Sequence, residues 1–125
     1  MAKKKILLVD DDPLIVRLYQ NKLSGDGYEV ATAHNGEEGL KQAKFSKPNL
    51  IFLDVMMPKM TGIEVIKELK KDKDLKKVPV VFLTNLSESG GRVSDAKKLG
   101  AEDYLVKADT TLKELSAIAK KLIGG

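Results

Sequence analysis

Short apolar runs alternate with helix-period stretches along the whole chain. Ile6-Leu7-Leu8-Val9, Tyr28 to Ala33, Leu50-Ile51-Phe52-Leu53, Val78 to Leu83 and Tyr104-Leu105-Val106 read as five strands. The first, third and fourth are almost continuously apolar, as expected of strands covered on both faces of a parallel sheet. Between them the apolar positions recur at three and four residues. Asp12-Pro13 opens the first helix, with Asp12 as N-cap and the proline where its missing N–H costs nothing. Ile15, Leu18 and Tyr19 follow at helical spacing until Ser24-Gly25 closes the element. The second helix runs from about Gly36 to Phe45, with Leu40 and Ala43 on one face, and ends at Lys47-Pro48. The third spans about Thr61 to Lys71 through Ile63, Ile66 and Leu69. The fourth, near Ser89 to Leu99, is the weakest, because Gly90 and Gly91 each cost roughly 1 kcal/mol relative to alanine. The fifth starts after Thr110 or Thr111 and carries Leu112, Leu115, Ala119 and Leu122.

Five β–α units in strict alternation predict an α/β domain, a doubly wound five-stranded parallel sheet with helices on both faces and right-handed crossovers. A length of 125 residues holds one such domain and little else. The longest apolar run falls far short of the roughly 20 residues of a membrane span, and the one after Lys3-Lys4-Lys5 is too short for a signal peptide. With no cysteine and a single histidine, His34, the chain lacks thiolate zinc sites, cysteine nucleophiles and histidine clusters. A cytoplasmic location and no membrane partner are expected. The net charge of +4 raises the question of nucleic acid. Yet Lys67, Lys70, Lys71, Lys73, Lys76 and Lys77 are interleaved with Glu64, Glu68, Asp72 and Asp74, the pattern of a solvated helix face. Aromatic residues are 5%, with none interleaved among basic ones to stack bases, so no direct nucleic-acid contact is expected.

On such sheets ligands bind beyond the carboxyl ends of the strands. There the sequence puts Asp10-Asp11-Asp12 after strand one, Asp54 after strand three, Thr84-Asn85 after strand four and Lys107 after strand five. If strands one and three are neighbours, at least three carboxylates converge, and like charges so close call for a cation. Oxygen ligands without His or Cys suit a hard divalent ion, Mg²⁺ above all. One hydroxyl and one ammonium aimed into the same acidic pocket make sense when an additional anion, such as a phosphoryl group, sits there. Each residue also has a plainer reading: Asp12 as N-cap, Asp54 as a turn residue before Met57-Pro58, Thr84 as a strand-end cap, Lys107 as surface. No glycine-rich phosphate cradle follows strand one.

Taken in order, Ile6 to Pro13, Asn35-Gly36-Glu37-Glu38-Gly39-Leu40, Leu53 to Gly62, Leu83-Thr84 and Gly100 to Lys107 resemble the receiver domain of two-component response regulators over about residues 4–123. The resemblance implies the flavodoxin-like strand order 2-1-3-4-5 and a phosphoacceptor role for Asp54. Its donor would be a histidine kinase, a phosphotransfer protein or a small phosphodonor. It further implies that Asp11, Asp10, Asp54 and the backbone carbonyl of Met56 hold Mg²⁺, that Lys107 and Thr84 meet the phosphoryl oxygens, and that Tyr104 is a switch aromatic. The face of the fourth helix, fifth strand and fifth helix would then bind an effector protein, the chain being a monomer or weak dimer and no metabolic enzyme. Two other readings stay open: a binding scaffold that never takes phosphate, and a phosphatase or phosphotransferase with an aspartyl-phosphate intermediate, for which no cap region is left over. Met56 and Leu86 occupy the positions that influence hydrolysis in the family; neither orients a water, so a long-lived phosphoryl state is expected. Where the family has a cis proline after the lysine, this chain has Ala108. A cis bond there costs about 2.5–4 kcal/mol, so a trans Lys107–Ala108 bond is expected.

Overall fold

In a computed structural model, which describes residues 3–57, 59–84, 98, 100–107 and 110–124, the expected alternation is present. The strands are β1 (Lys5–Val9), β2 (Glu29–Ala33), β3 (Leu50–Asp54), β4 (Val80–Thr84) and β5 (Asp103–Val106). The helices among the described residues are α1 (Pro13–Gly25), α2 (Gly36–Ser46), α3 (Gly62–Lys71) and α4 (Leu112–Ile123), the last being the fifth predicted from sequence. The fourth predicted helix, near residues 89–99, lies outside the described residues save for Lys98. All neighbouring strands pair in parallel, in the order β2-β1-β3-β4-β5.

Alternate residues of β1, β3 and β4 feed two separate cores. Leu7, Val9, Ile51, Leu53, Val80 and Phe82 pack with Ala43 of α2 and with Val65, Ile66 and Leu69 of α3. Ile6, Leu8, Leu50, Phe52, Val81 and Leu83 pack with Val16, Tyr19 and Leu23 of α1 and with Leu115 and Ala119 of α4. Strands buried on both faces in this way must be apolar throughout, which is what the sequence shows for β1, β3 and β4.

Capping sets the helix starts. The Asp12 carboxylate accepts the Leu14 N–H at 3.0 Å and Asn35 Oδ1 accepts that of Glu38 at 2.9 Å. Thr61 with Glu64 and Thr111 with Glu114 each form a reciprocal capping box. Lys47 closes α2 in the left-handed region, at φ 49°.

Three details differ from the sequence pattern. Strand β4 begins at Val80 and not Val78: Pro79 has no N–H for the ladder, and Val78 N–H is spent on the Leu75 carbonyl in the preceding turn. Leu18 is 43% exposed, because the buried stripe of α1 is Val16, Tyr19 and Leu23. Leu112 is 38% exposed at the first turn of α4, before that helix reaches the sheet.

Helix α4 is tied down at its middle and at its end. Ser116 Oγ donates to Asp26 Oδ2 at 2.5 Å, which lowers the Asp26 carboxyl, with Lys22 adding its charge. Tyr28 donates to the Gly124 carbonyl and Lys4 Nζ to that of Ile123. No helix among the described residues is long and apolar enough to cross a membrane.

Gly36 shows how tightly α2 meets the loop after β3. A Cβ there would lie 2.4 Å from the Met60 carbonyl oxygen and 2.7 Å from its Cβ. Gly36→Ala is expected to destabilise by about 1–3 kcal/mol, an overpacking cost. Gly25, which ends α1 with nothing within 4 Å of its added methyl, is expected to accept alanine with a gain of up to about 1 kcal/mol. Urea unfolding midpoints of the two variants check the contrast.

Candidate functional site

The register of the sheet assembles the site. Val9 pairs with Leu53, so the residues that follow, Asp10 and Asp54, emerge side by side at the carboxyl edge. Thr84 pairs with Val106, which brings Lys107 out one strand beyond Thr84. The backbone seals these ends: Val55 N–H donates to the Leu83 carbonyl at 3.0 Å and Lys107 N–H to the Thr84 carbonyl at 2.7 Å.

Asp10, Asp54 and Thr84 are buried, and the Lys107 side chain is almost as enclosed. Lys107 Nζ lies 2.6 Å from Asp10 Oδ2 and 3.2 Å from Asp54 Oδ2. The other carboxylate oxygens are held by the main chain: Asp12 N–H donates to Asp10 Oδ1 at 2.9 Å, and Met56 N–H to Asp54 Oδ1 at 3.2 Å. Asp11 is exposed, yet one carboxylate oxygen from each of Asp10, Asp11 and Asp54 fits within a 4.8 Å cluster. Thus three carboxylates share one pocket with one ammonium.

That imbalance perturbs the ionisable groups. Burial, and then the charge of Asp10, push the Asp54 carboxyl up to about 7, against the pull of Lys107 and the Met56 N–H. Burial by itself would lower the Lys107 ammonium, but its contacts with Asp10 and Asp54 outweigh this and hold it above the ordinary lysine value. Asp10 Oδ2, fully buried, has no aligned hydrogen-bond donor; its approach to Lys107 is an ion pair that leaves lone pairs open. An atom of this kind, in an all-oxygen donor set, fits a hard divalent cation, with Asp10, Asp11 and Asp54 as the side chains able to hold it.

The receiver-domain model of the response regulators matches residues 6–120. The chain belongs to this family. Among curated proteins, the receiver is 46% identical over 121 residues to a probable transcriptional regulator of Cyanophora paradoxa, covering 97% of this chain and 48% of that one. It is 45% identical over 120 residues to the alkaline phosphatase synthesis transcriptional regulatory protein PhoP of Bacillus subtilis, covering 96% and 48%. The chain therefore spans about half the length of these relatives. Among solved structures, the chemotaxis response regulator CheY4 of Vibrio cholerae is 32% identical, with a TM-score of 0.89 and coverage of 98% and 100%. The receiver domain of a sensor histidine kinase from Pseudomonas aeruginosa, solved with a magnesium ion in its active site cleft, is 27% identical, with a TM-score of 0.88 and coverage of 99% and 100%.

Of the site residues expected from sequence, the receiver fold brings together Asp10, Asp11, Asp54 and Lys107, with Thr84 buried at the adjoining strand end. Met56 contributes its N–H to Asp54, while its side chain is exposed. Tyr104 stands on the edge strand β5, 37% exposed, apart from the carboxylates. Leu86 and Ala108, and with Ala108 the expected trans bond, lie outside the described residues.

The apolar–polar periodicity alone gives Gly62 no role, yet a Cβ there would lie 2.4 Å from the Asp54 carbonyl oxygen. Its N–H donates to the Val55 carbonyl at 2.9 Å, so the first turn of α3 is clamped onto the backbone of Asp54. Lys59, at φ 69°, turns the loop back toward that clamp in a conformation few side chains adopt. The sign visible in sequence is the pair Thr61-Gly62, a cap followed at once by a residue with no side chain.

Because the folded protein holds a proton on Asp54 up to about pH 7 that the unfolded chain has released near its ordinary 3.8, stability without divalent cations falls as pH rises through that window. Asp54→Asn removes the charge and this slope. Melted in EDTA, the variant is expected to exceed the wild type by on the order of 1–3 kcal/mol near pH 8, with the gap closing toward pH 4. A gap that stays constant or widens on acidification contradicts the burial of a strained carboxylate.

Proposed function

We propose that Asp54 is the phosphoacceptor of a two-component phosphorelay, taking a phosphoryl group from a histidine kinase, a phosphotransfer protein or a small phosphodonor. The observation that carries this reading is the Asp54 carboxylate itself, buried among two other carboxylates and a single buried lysine. In transfer from phosphohistidine, a carboxylate oxygen of Asp54 attacks phosphorus in line. The new O–P bond forms an acyl phosphate as the N–P bond breaks, and its electron pair leaves with the imidazole. Lys107, already 3.2 Å from Asp54, balances charge on the phosphoryl oxygens, and Thr84 supplies a hydroxyl to one of them.

Asp10, Asp11, Asp54 and the Met56 carbonyl would hold Mg²⁺, an ion that the similar Pseudomonas aeruginosa receiver domain coordinates in its active site cleft. When bound, the ion supplies positive charge that offsets both the crowded carboxylates and the transferring group. Transfer draws Thr84 toward the phosphoryl oxygens, and Tyr104, half-exposed at the edge strand, turns into the space this opens. That movement alters the face around β5 and α4 that an effector protein binds. The protein is cytoplasmic and acts as a switch, with catalysis limited to its own phosphorylation and dephosphorylation.

Incubation with Mg²⁺ and acetyl phosphate followed by intact-mass measurement tests this. One phosphoryl adduct is expected for the wild type and none for Asp54→Asn. Asp11→Ala is expected to slow adduct formation by about tenfold or more, the usual cost of a lost metal ligand or its support. A wild type that gains no mass is a binding scaffold, and an unchanged rate in Asp11→Ala removes that residue from the metal set.

A further inference from the structure

One methionine is joined to the site through its backbone. Met56 donates its backbone N–H to Asp54 Oδ1 at 3.2 Å, and the side chain of that same residue is 55% exposed. Met57, next in sequence, is 8% exposed and packs into the core beneath. The chain has four methionines and no cysteine, so its reversible sulfur oxidation is confined to thioethers, and among the described residues Met56 is the most exposed of them.

We propose that Met56 is a redox modification site, and that its oxidation to the sulfoxide by a peroxide shortens the life of the phosphoryl group on Asp54. This role rests on Asp54 being the phosphoacceptor. In the oxidation, hydrogen peroxide passes one oxygen atom to sulfur. The thioether loses an electron pair, and the peroxide is reduced to water. Before oxidation the side chain, carried by the residue whose N–H meets Asp54, is apolar and at most a weak acceptor, unable to orient a water. The sulfoxide oxygen is a strong acceptor carried by the residue whose N–H rests on the Asp54 carboxylate. It can fix a water by one hydrogen bond for attack on phosphorus. The acyl O–P bond then breaks, Asp54 recovers its carboxylate and inorganic phosphate leaves. Reduction of the sulfoxide by an external dithiol, which is oxidised to its disulfide as the oxygen leaves as water, restores the slow state.

The experiment treats the full chain with dilute hydrogen peroxide, maps the added oxygen by peptide mass, then phosphorylates with acetyl phosphate and follows adduct decay by intact mass. Oxidation is expected at Met56 ahead of Met57, with decay about fivefold faster, the effect of one ordinary hydrogen bond gained in the transition state. In Met56→Leu, peroxide is expected to leave that variant's own decay rate unchanged, and Met56→Gln, which places an amide oxygen there, is expected to decay faster without oxidant. Oxidation of Met57 before Met56 overturns the assignment of the site. Adduct lifetimes unmoved by Met56 oxidation, or shortened equally in Met56→Leu, overturn its effect alone. Absence of any adduct before oxidation overturns the phosphoacceptor reading and this role with it.

Discussion

Everything at the carboxyl edge of this sheet depends on holding Asp10 and Asp54 next to each other out of water. Two carboxylates so placed repel one another and have lost most of their hydration, and one ammonium from Lys107 is too little to balance them. The strain is tolerable because the strands that carry the two carboxylates, β1 and β3, are buried on both faces. To slip β1 by one residue against β3 would turn Leu7 and Val9 out of one core and into the other. Hydrophobic burial thus fixes the register, and the register confines the charges. The receiver stores electrostatic discomfort at the strand ends, where any added charge would change its size.

The expected ligand chemistry was legible because it lies at strand ends, where the change from apolar run to Asp, Thr or Lys is abrupt in sequence. The alternation of runs and helical periods was enough for the architecture, and the Asp12 and Thr111 caps marked where α1 and α4 begin. Which apolar stripe of a helix turns inward was harder. In α1, Leu14 and Leu18 make as good a periodic pair as Val16, Tyr19 and Leu23, and only the position of the sheet decides between them. The two features that tighten the site, the contact of Gly62 with the Asp54 backbone and the left-handed Lys59, are properties of backbone approach. A pattern of apolar and polar side chains carries no record of them.

The two faces of the sheet also have different tasks. On one, α2 and α3 press glycines against neighbouring backbone, at Gly36 on Met60 and Gly62 on Asp54, which leaves the floor of the site little freedom. On the other, α1 and α4 meet through side chains, with the part-buried Ser116–Asp26 bond at their junction. Rigid support lies beneath the carboxylates, while the edge strand β5, with Tyr104 half in solvent, is bounded by β4 alone among the described strands.

The bonds from Lys4 and Tyr28 to the carbonyls of Ile123 and Gly124 bring the beginning and the end of the fold within one side chain of each other. They meet at the pole of the sheet opposite Asp54, where β1 starts and α4 finishes. Viewed as a path, the polypeptide is nearly a closed ring, and which residue counts as first matters little to its packing. A short linker could join these ends and a break could be opened in a surface turn without disturbing either core. It also means that a domain fused at either end would grow from the same small patch of surface, with the whole height of the sheet between it and the carboxylates.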